Sequence, residues 1–77
     1  ENVWWYDGEM IEFRTPNYAK ILRIMQTQPA LTQEDMRDEL GISLTAVRKL
    51  VGQLTEKNYV ERNTKDGSWR VFITPSI

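Results

Sequence analysis

The chain contains neither histidine nor cysteine, and both absences restrict its chemistry. Without histidine the usual general base of an enzyme is missing, and without cysteine there is no thiolate nucleophile and no basis for the common zinc sites. The carboxylates of residues 34–39 could in principle bind a hard cation, but side chains on one short helix splay around it instead of converging. We therefore expect no enzymatic activity, no metal and no cofactor.

Long hydrophobic runs are also absent. No apolar run approaches the ~20 residues of a transmembrane helix, and no signal-peptide pattern is present. With 77 residues, of which 40% are hydrophobic and 27% charged, the composition predicts one small globular domain. The lack of cysteine fits a reducing cytoplasm, so we expect a cytoplasmic protein with no membrane partner. Because the chain begins with Glu1 rather than Met, we expect a domain of a longer parent protein.

Residues 32–54 predict two short amphipathic helices joined by a tight glycine turn. Thr32 and Asp35 have the spacing of a capping box at the start of the first helix. Gly41 supplies the left-handed residue that ends this helix, and Ser43 caps the next one. So short a turn permits little besides a crossed helix pair, which is typical of a helix-turn-helix.

The second of these helices is predicted over residues 44–57. Its apolar residues cluster on one side, which leaves a polar stripe on the other. In a helix-turn-helix, the outward stripe of the second helix enters the DNA major groove with its N-terminal residues nearest the base edges. The candidate DNA-binding residues on this helix and its cap are Ser43, Thr45, Ala46, Arg48 and Lys49.

Residues 59–73 predict a β-hairpin directly after this helix, because two β-prone runs flank a loop that ends in Asp66 and Gly67. A hairpin directly after such a helix resembles the wing of a winged helix. With residues 40–43, Val47 and Leu54, it makes the chain from Pro16 to about Pro75 similar to the winged helix-turn-helix superfamily. The wing is most similar to that of bacterial transcriptional regulators with a helicase-related, divergent AAA-type or Schlafen-like N-terminal part. The resemblance implies binding to duplex DNA, with helix 44–57 in the major groove and wing 59–73 on the flanking backbone.

Residues 1–28 predict a further hairpin and a further helix. Residues 3–6 and 9–13 flank Asp7 and Gly8, a pair suited to a type I′ turn, whereas the helix begins at Pro16 and ends near Pro29. The hairpin is either packed on the domain, which we favour, or the exit of a preceding domain. The predicted fold class is therefore α+β: a winged helix-turn-helix with a three-helix core, a C-terminal two-stranded β wing and an N-terminal β-hairpin, divided into residues 1–14 and 15–77.

Three packing expectations follow from the same patterns. Adjacent Trp4 and Trp5 must face opposite sides of a strand, so one of them is expected to be exposed and available as a protein contact. In the alternative, both tryptophans pack against the first helix. Leu31 is expected where a short strand pairs with the wing. The inward residues of the wing should cover the second helix of the pair, with Trp69 and Val71 packed on Leu50 and Leu54.

Charge divides the chain into two unlike halves. Residues 1–42 hold four basic and eight acidic side chains, whereas residues 43–77 hold six basic and three acidic ones. Since phosphate neutralisation supplies much of nucleic-acid affinity, the basic half is the expected DNA surface. Arg62, Lys65 and Arg70 on the wing are expected to join Arg48 and Lys49 in one continuous basic strip.

The acidic first helix of the pair and Arg37 depart from the pattern of related domains, which commonly have a small residue at the position of Arg37. These departures predict weak DNA binding, and a homodimeric parent on two half-sites. They also keep an alternative open. In that alternative the winged helix does not bind DNA and instead dimerises or docks on another protein through the Trp4 and Trp5 hairpin or the acidic helix.

Overall fold

The computed structural model describes residues 3–75 and folds them into three helices and five strands, in the order ββαααβββ. The helices are α1 (Pro16–Thr27), α2 (Gln33–Leu40) and α3 (Leu44–Glu56), and the strands are β1 (Val3–Tyr6), β2 (Glu9–Glu12), β3 (Val60–Arg62), β4 (Trp69–Val71) and β5 (Thr74–Pro75). This is the predicted α+β winged helix-turn-helix with an N-terminal hairpin. The second helix of the pair ends at Glu56, one residue before the predicted end.

Capping residues define both ends of α2 and the start of α3. The Thr32 hydroxyl accepts the Asp35 N–H at 3.1 Å, and the Asp35 carboxylate accepts the Thr32 N–H at 3.2 Å, which completes the predicted capping box. Gly41 has a left-handed φ of 69°, and the Ser43 hydroxyl accepts the Ala46 N–H at 3.1 Å. These bonds satisfy backbone groups that the helix ends would otherwise leave unpaired. The predicted caps are confirmed.

A Schellman motif links α3 to the wing. Asn58 adopts a left-handed φ of 64°, its N–H donates to the Thr55 carbonyl at 3.0 Å, and the Tyr59 N–H donates to the Leu54 carbonyl at 3.0 Å. This pair of bonds is the pattern in which a left-handed residue after the helix turns the chain away from the helix axis. The wing therefore starts from a fixed point at the end of α3.

The strands form two antiparallel sheets. In the wing, β3 pairs with β4, and Arg62 lies opposite Trp69. The other sheet has the order β2-β1-β5, with Trp5 opposite Met10 on one side and Thr74 on the other. The strand β5 was not predicted from the sequence. The division of the domain at residue 15 stays a prediction, and its outer limits at residues 1 and 77 lie outside the described residues.

The hydrophobic core collects residues from the helices and from both sheets. Trp4 is completely buried, whereas Trp5 is 42% exposed, so the two adjacent indoles face opposite sides as expected. The buried Trp4 shows that the N-terminal hairpin packs on the domain. The other buried apolar residues are Ala19, Ile21, Leu22, Met25, Met36, Val47, Val51, Leu54, Val60, Trp69 and Ile73.

The wing packs on α1 more closely than the sequence suggested. Trp69 is buried and Val71 is half-buried, which agrees with the predicted inward face. However, β4 lies nearer to α1 than to α3. The Trp69 N–H donates to the Pro29 carbonyl at 2.9 Å, and the Gln26 amide donates to the Ile73 carbonyl at 3.3 Å. The strand pairing that was expected at Leu31 is therefore replaced by one hydrogen bond at Pro29. The reason is that the chain meets the wing only two residues after the end of α1.

Candidate nucleic-acid interface

The N-terminal half of α3 presents an exposed polar face. Thr45, Arg48 and Lys49 are exposed, while Val47 and Val51 on the opposite side are buried in the core. This division follows the apolar spacing of the helix, because one stripe must face the core and the other is left to solvent. The face is therefore open to a ligand without rearrangement of the fold.

The two remaining candidates on α3 belong to its cap. Ser43 is exposed, and its hydroxyl oxygen accepts the Ala46 N–H. A hydroxyl that accepts one bond keeps its own hydrogen, so Ser43 can still donate to a phosphate oxygen. Ala46 is half-buried and offers only a methyl group, which can make an apolar contact with a base.

The tip of the wing is a hydrogen-bonded loop. The Gly67 N–H donates to the Asn63 carbonyl at 2.7 Å, and the Asn63 side chain accepts the Lys65 N–H at 2.9 Å. The Asp66 carboxylate accepts the Ser68 N–H at 3.0 Å and the Ser68 hydroxyl at 2.8 Å, and these bonds lower the pKa of Asp66. The side chain of Lys65 is exposed at this tip, and these hydrogen bonds fix the backbone that carries it.

The two wing arginines lie on opposite faces of the ribbon. Arg62 shares a face with its partner Trp69, and its guanidinium carbon lies 5.7 Å from the centroid of that ring. Arg70 is paired with Glu61 on the other face, and its guanidinium carbon lies 5.5 Å from the centroid of the Phe72 ring. The expected single basic strip therefore does not include both arginines, since side chains alternate between the faces of a strand.

The basic side chains of α3 and the wing are not neutralised by ion pairs. Within residues 3–75 an ion pair joins Arg37 to Asp38 on α2, at 3.1 Å, and none involves Arg48, Lys49 or the basic residues of the wing. The half-buried Arg37 thus pairs with a carboxylate of its own helix, and its guanidinium does not enter the core. In this way α2 accommodates a long side chain where related domains commonly have a small one. The positive charge of the basic half remains available to an anionic partner.

One hydrogen bond at the side of α3 could not be predicted from the sequence, because its two residues are far apart along the chain. The Tyr18 hydroxyl of α1 donates to the side-chain carbonyl oxygen of Gln53, next to a groove of about 600 Å³ lined by Phe13 and Tyr59 among others. This bond ties α1 to α3. In the described part of the chain, no three acidic side chains gather as they would around a metal ion.

The capped helix pair, the exposed face of α3 and the hairpin that follows define a winged helix-turn-helix domain. Comparison with protein families gives a match to the MarR family over residues 14–67, and the chain belongs to that family. The winged helix of this family is a regulatory DNA-binding fold. Comparisons with curated proteins and with solved structures found no match to the chain. No helix of the described residues has the length and apolarity needed to cross a membrane.

Proposed function

We propose that this domain binds duplex DNA, with α3 in the major groove and the wing on the flanking backbone. The observation that carries the proposal is the exposed face of Thr45, Arg48 and Lys49 on the capped N-terminal half of α3. A helix of this kind fits the width of the major groove, and its N-terminal residues come closest to the bases.

The proposed roles differ between the helix and the wing. Thr45 and Lys49 face the floor of the groove and contact base edges, while Arg48 contacts a phosphate. Arg62 and Lys65 contact the backbone beside the groove. Arg70 contributes less, because it lies on the other face of the ribbon and next to Glu61.

The affinity of one copy should be modest, since the net charge is −1 and α2 carries four carboxylates. A regulator with two copies on two half-sites would compensate, because the second contact becomes intramolecular. We place the domain in such a homodimeric bacterial regulator, at the C-terminal side of a helicase-related, divergent AAA-type or Schlafen-like part. We also propose that its working unit is residues 15–77 with residues 1–14 as an attached hairpin.

Titration of a labelled duplex at low salt tests this proposal. Lys49→Ala should weaken binding and reduce sequence preference, whereas Lys65→Ala should weaken binding to all sequences alike. Lys20→Ala is the matched control, because Lys20 is exposed on α1 outside the proposed interface. If Lys49→Ala and Lys65→Ala bind as well as Lys20→Ala, the proposed interface is wrong.

The alternative is a protein-binding winged helix with no affinity for DNA. It is favoured by one observation, the exposed Trp5 and Met10 on the N-terminal sheet. Absence of duplex binding at about 100 μM protein, an affinity too weak for a specific site, would support it.

A further inference from the structure

The hydrogen bond between α1 and α3 orients the side chain of Gln53. The Tyr18 hydroxyl donates to the amide oxygen of Gln53, and both residues are half-buried. A glutamine amide carries one acceptor oxygen and one NH₂ group on the same planar carbon. When the oxygen binds Tyr18, the NH₂ group therefore points away from that hydroxyl. No residue within 3–75 accepts a hydrogen bond from this NH₂ group, so it is free to donate to a ligand.

Gln53 lies beside the exposed face of α3, in the half of the helix that the candidate residues do not cover. It follows Lys49 by one turn and precedes Lys57 at the C-cap by another, so the three side chains form a row along the helix. At a rise of 1.5 Å per residue, Gln53 lies about 12 Å from Thr45 along the axis. The major groove is about 8.5 Å deep, so a helix with its N-terminal residues at the bases holds Gln53 at the level of the DNA backbone.

The charges around Gln53 cancel. Gln53 lines the groove of about 600 Å³ together with the basic Arg14 and Lys57 and the acidic Glu12 and Glu56. Within the described residues none of these four side chains is in an ion pair. Net charge therefore does little to hold a phosphate at this place, whereas a neutral donor with a fixed direction can hold one.

We propose that Gln53 donates a hydrogen bond to a phosphate oxygen of bound duplex DNA, and that Tyr18 is a positioning residue for this contact. Glutamine side chains are common donors to phosphates at protein–DNA interfaces. Because Tyr18 already orients the amide in the free protein, less side-chain freedom is lost when DNA binds. The inference rests on the proposed binding of duplex DNA and adds a contact from the C-terminal half of α3, held in place by α1.

Titration of a labelled duplex over a range of salt concentrations tests both roles. Gln53→Ala should lower the association constant about three- to tenfold, as expected for one lost hydrogen bond. The salt slope should not change, because a neutral donor releases no counterion. Tyr18→Phe should lower the constant about two- to fivefold by freeing the Gln53 side chain. In the Gln53→Ala background, Tyr18→Phe should have no further effect, since Tyr18 acts through Gln53.

Two further variants separate a DNA contact from a structural role. Gln53→Glu keeps an acceptor for the Tyr18 hydroxyl and loses the donor, so it should bind at least as weakly as Gln53→Ala because a carboxylate repels phosphates. Gln53→Lys brings a charged donor to the same place and should steepen the salt slope by up to about 0.9. If Gln53 only stabilised the contact between α1 and α3, Gln53→Glu would bind like the wild type.

Matched controls lie outside the proposed contact. Gln28→Lys adds the same charge at an exposed residue after α1 and should leave the salt slope unchanged. Tyr6→Phe removes a hydroxyl that has no hydrogen-bond partner among the described residues and should bind like the wild type. Thermal unfolding monitors the fold of every variant.

The outcomes distinguish this contact from DNA binding itself. A wild type that does not bind duplex DNA would overturn the proposed function and this contact together. A wild type that binds would overturn the contact alone in any of three cases: Gln53→Ala binds equally well, Gln53→Glu binds like the wild type, or Tyr18→Phe weakens the Gln53→Ala variant further.

Discussion

The two β-hairpins of this domain have similar anchors and different surfaces. Each turns on an Asp-Gly pair with a left-handed glycine, Gly8 (φ 81°) in the β1–β2 hairpin and Gly67 (φ 74°) in the wing. Each inserts one tryptophan into the core, Trp4 or Trp69. The exposed side chains differ, because those of the first hairpin are acidic and apolar whereas those of the wing include Arg62 and other basic residues. The comparison teaches that the fold depends on the buried residues and partner choice on the exposed ones.

The first prediction tests whether the two anchors are equivalent. Trp4→Ala and Trp69→Ala should each lower the free energy of unfolding by about 3 to 5 kcal/mol, because each leaves a large cavity in the core. In a domain of this size that loss lowers the melting temperature by more than about 10 °C, which circular dichroism would measure. A cost below about 1 kcal/mol for either variant would show that its hairpin is not packed on the core.

The second prediction separates the two indoles. The Trp4 ring nitrogen is buried with no hydrogen-bond partner among the described residues, whereas the Trp69 ring carries the Arg62 guanidinium. A buried donor without a partner lowers the free energy of unfolding by about 1 to 3 kcal/mol. Replacing Trp4 by phenylalanine removes this donor, and the gain offsets much of the packing that is lost with the larger ring. Trp4→Phe should therefore cost less in urea denaturation than Trp69→Phe, which also loses the cation–π contact. The opposite order would contradict this account.

The third prediction concerns the two turns. Gly8→Ala and Gly67→Ala should each cost about 1 to 2 kcal/mol, because alanine is strained at a left-handed φ. Gly52→Ala is the control: this glycine lies inside α3, and a Cβ there would meet no atom within 4 Å. It should stabilise the domain by up to about 1 kcal/mol. If all three substitutions had the same sign, backbone strain would not be the cause.

The fourth and smallest effect is the pH dependence of the wing loop. The Ser68 N–H and hydroxyl bind the ionised Asp66 and lower its pKa. Asp66 therefore stabilises the loop fully above its unfolded pKa of about 3.9, and this contribution is lost as the pH falls through the lower folded pKa. An NMR titration should find the Asp66 pKa closer to its ordinary value in Ser68→Ala. An unchanged pKa in that variant would show that Ser68 is not responsible.

Much of this fold could be predicted because its signals are local. The capping box of Thr32, the left-handed Gly41 and the Asp7 and Gly8 turn each depend on a few neighbouring residues. The pairing of β5 with β1 could not be predicted, since Thr74 and Trp5 are distant in sequence and two residues make too short a pattern. The contact of Trp69 with Pro29 instead of Leu31 depends on how α1 ends in space.

The exposure of the candidate residues on α3 could be predicted from the sequence, whereas the geometry of the wing could not. The exposed face of Thr45, Arg48 and Lys49 follows from helical spacing alone. The separation of Arg62 from Arg70 does not, because it depends on the register of β3 and β4, and a shift of one residue between these strands would put both arginines on the same face. Their unequal contribution to DNA binding, greater for Arg62, remains a prediction.

The salt dependence of duplex binding tests the central claim most directly. If three to five of the basic residues of α3 and the wing reach phosphates, the logarithm of the association constant should fall with the logarithm of salt concentration at a slope of roughly −3 to −4.5. Lys65→Ala should flatten that slope by about 0.9, whereas Lys20→Ala should leave it unchanged. A slope near zero, or a slope that Lys65→Ala does not alter, would contradict the assignment of the basic half as the DNA surface.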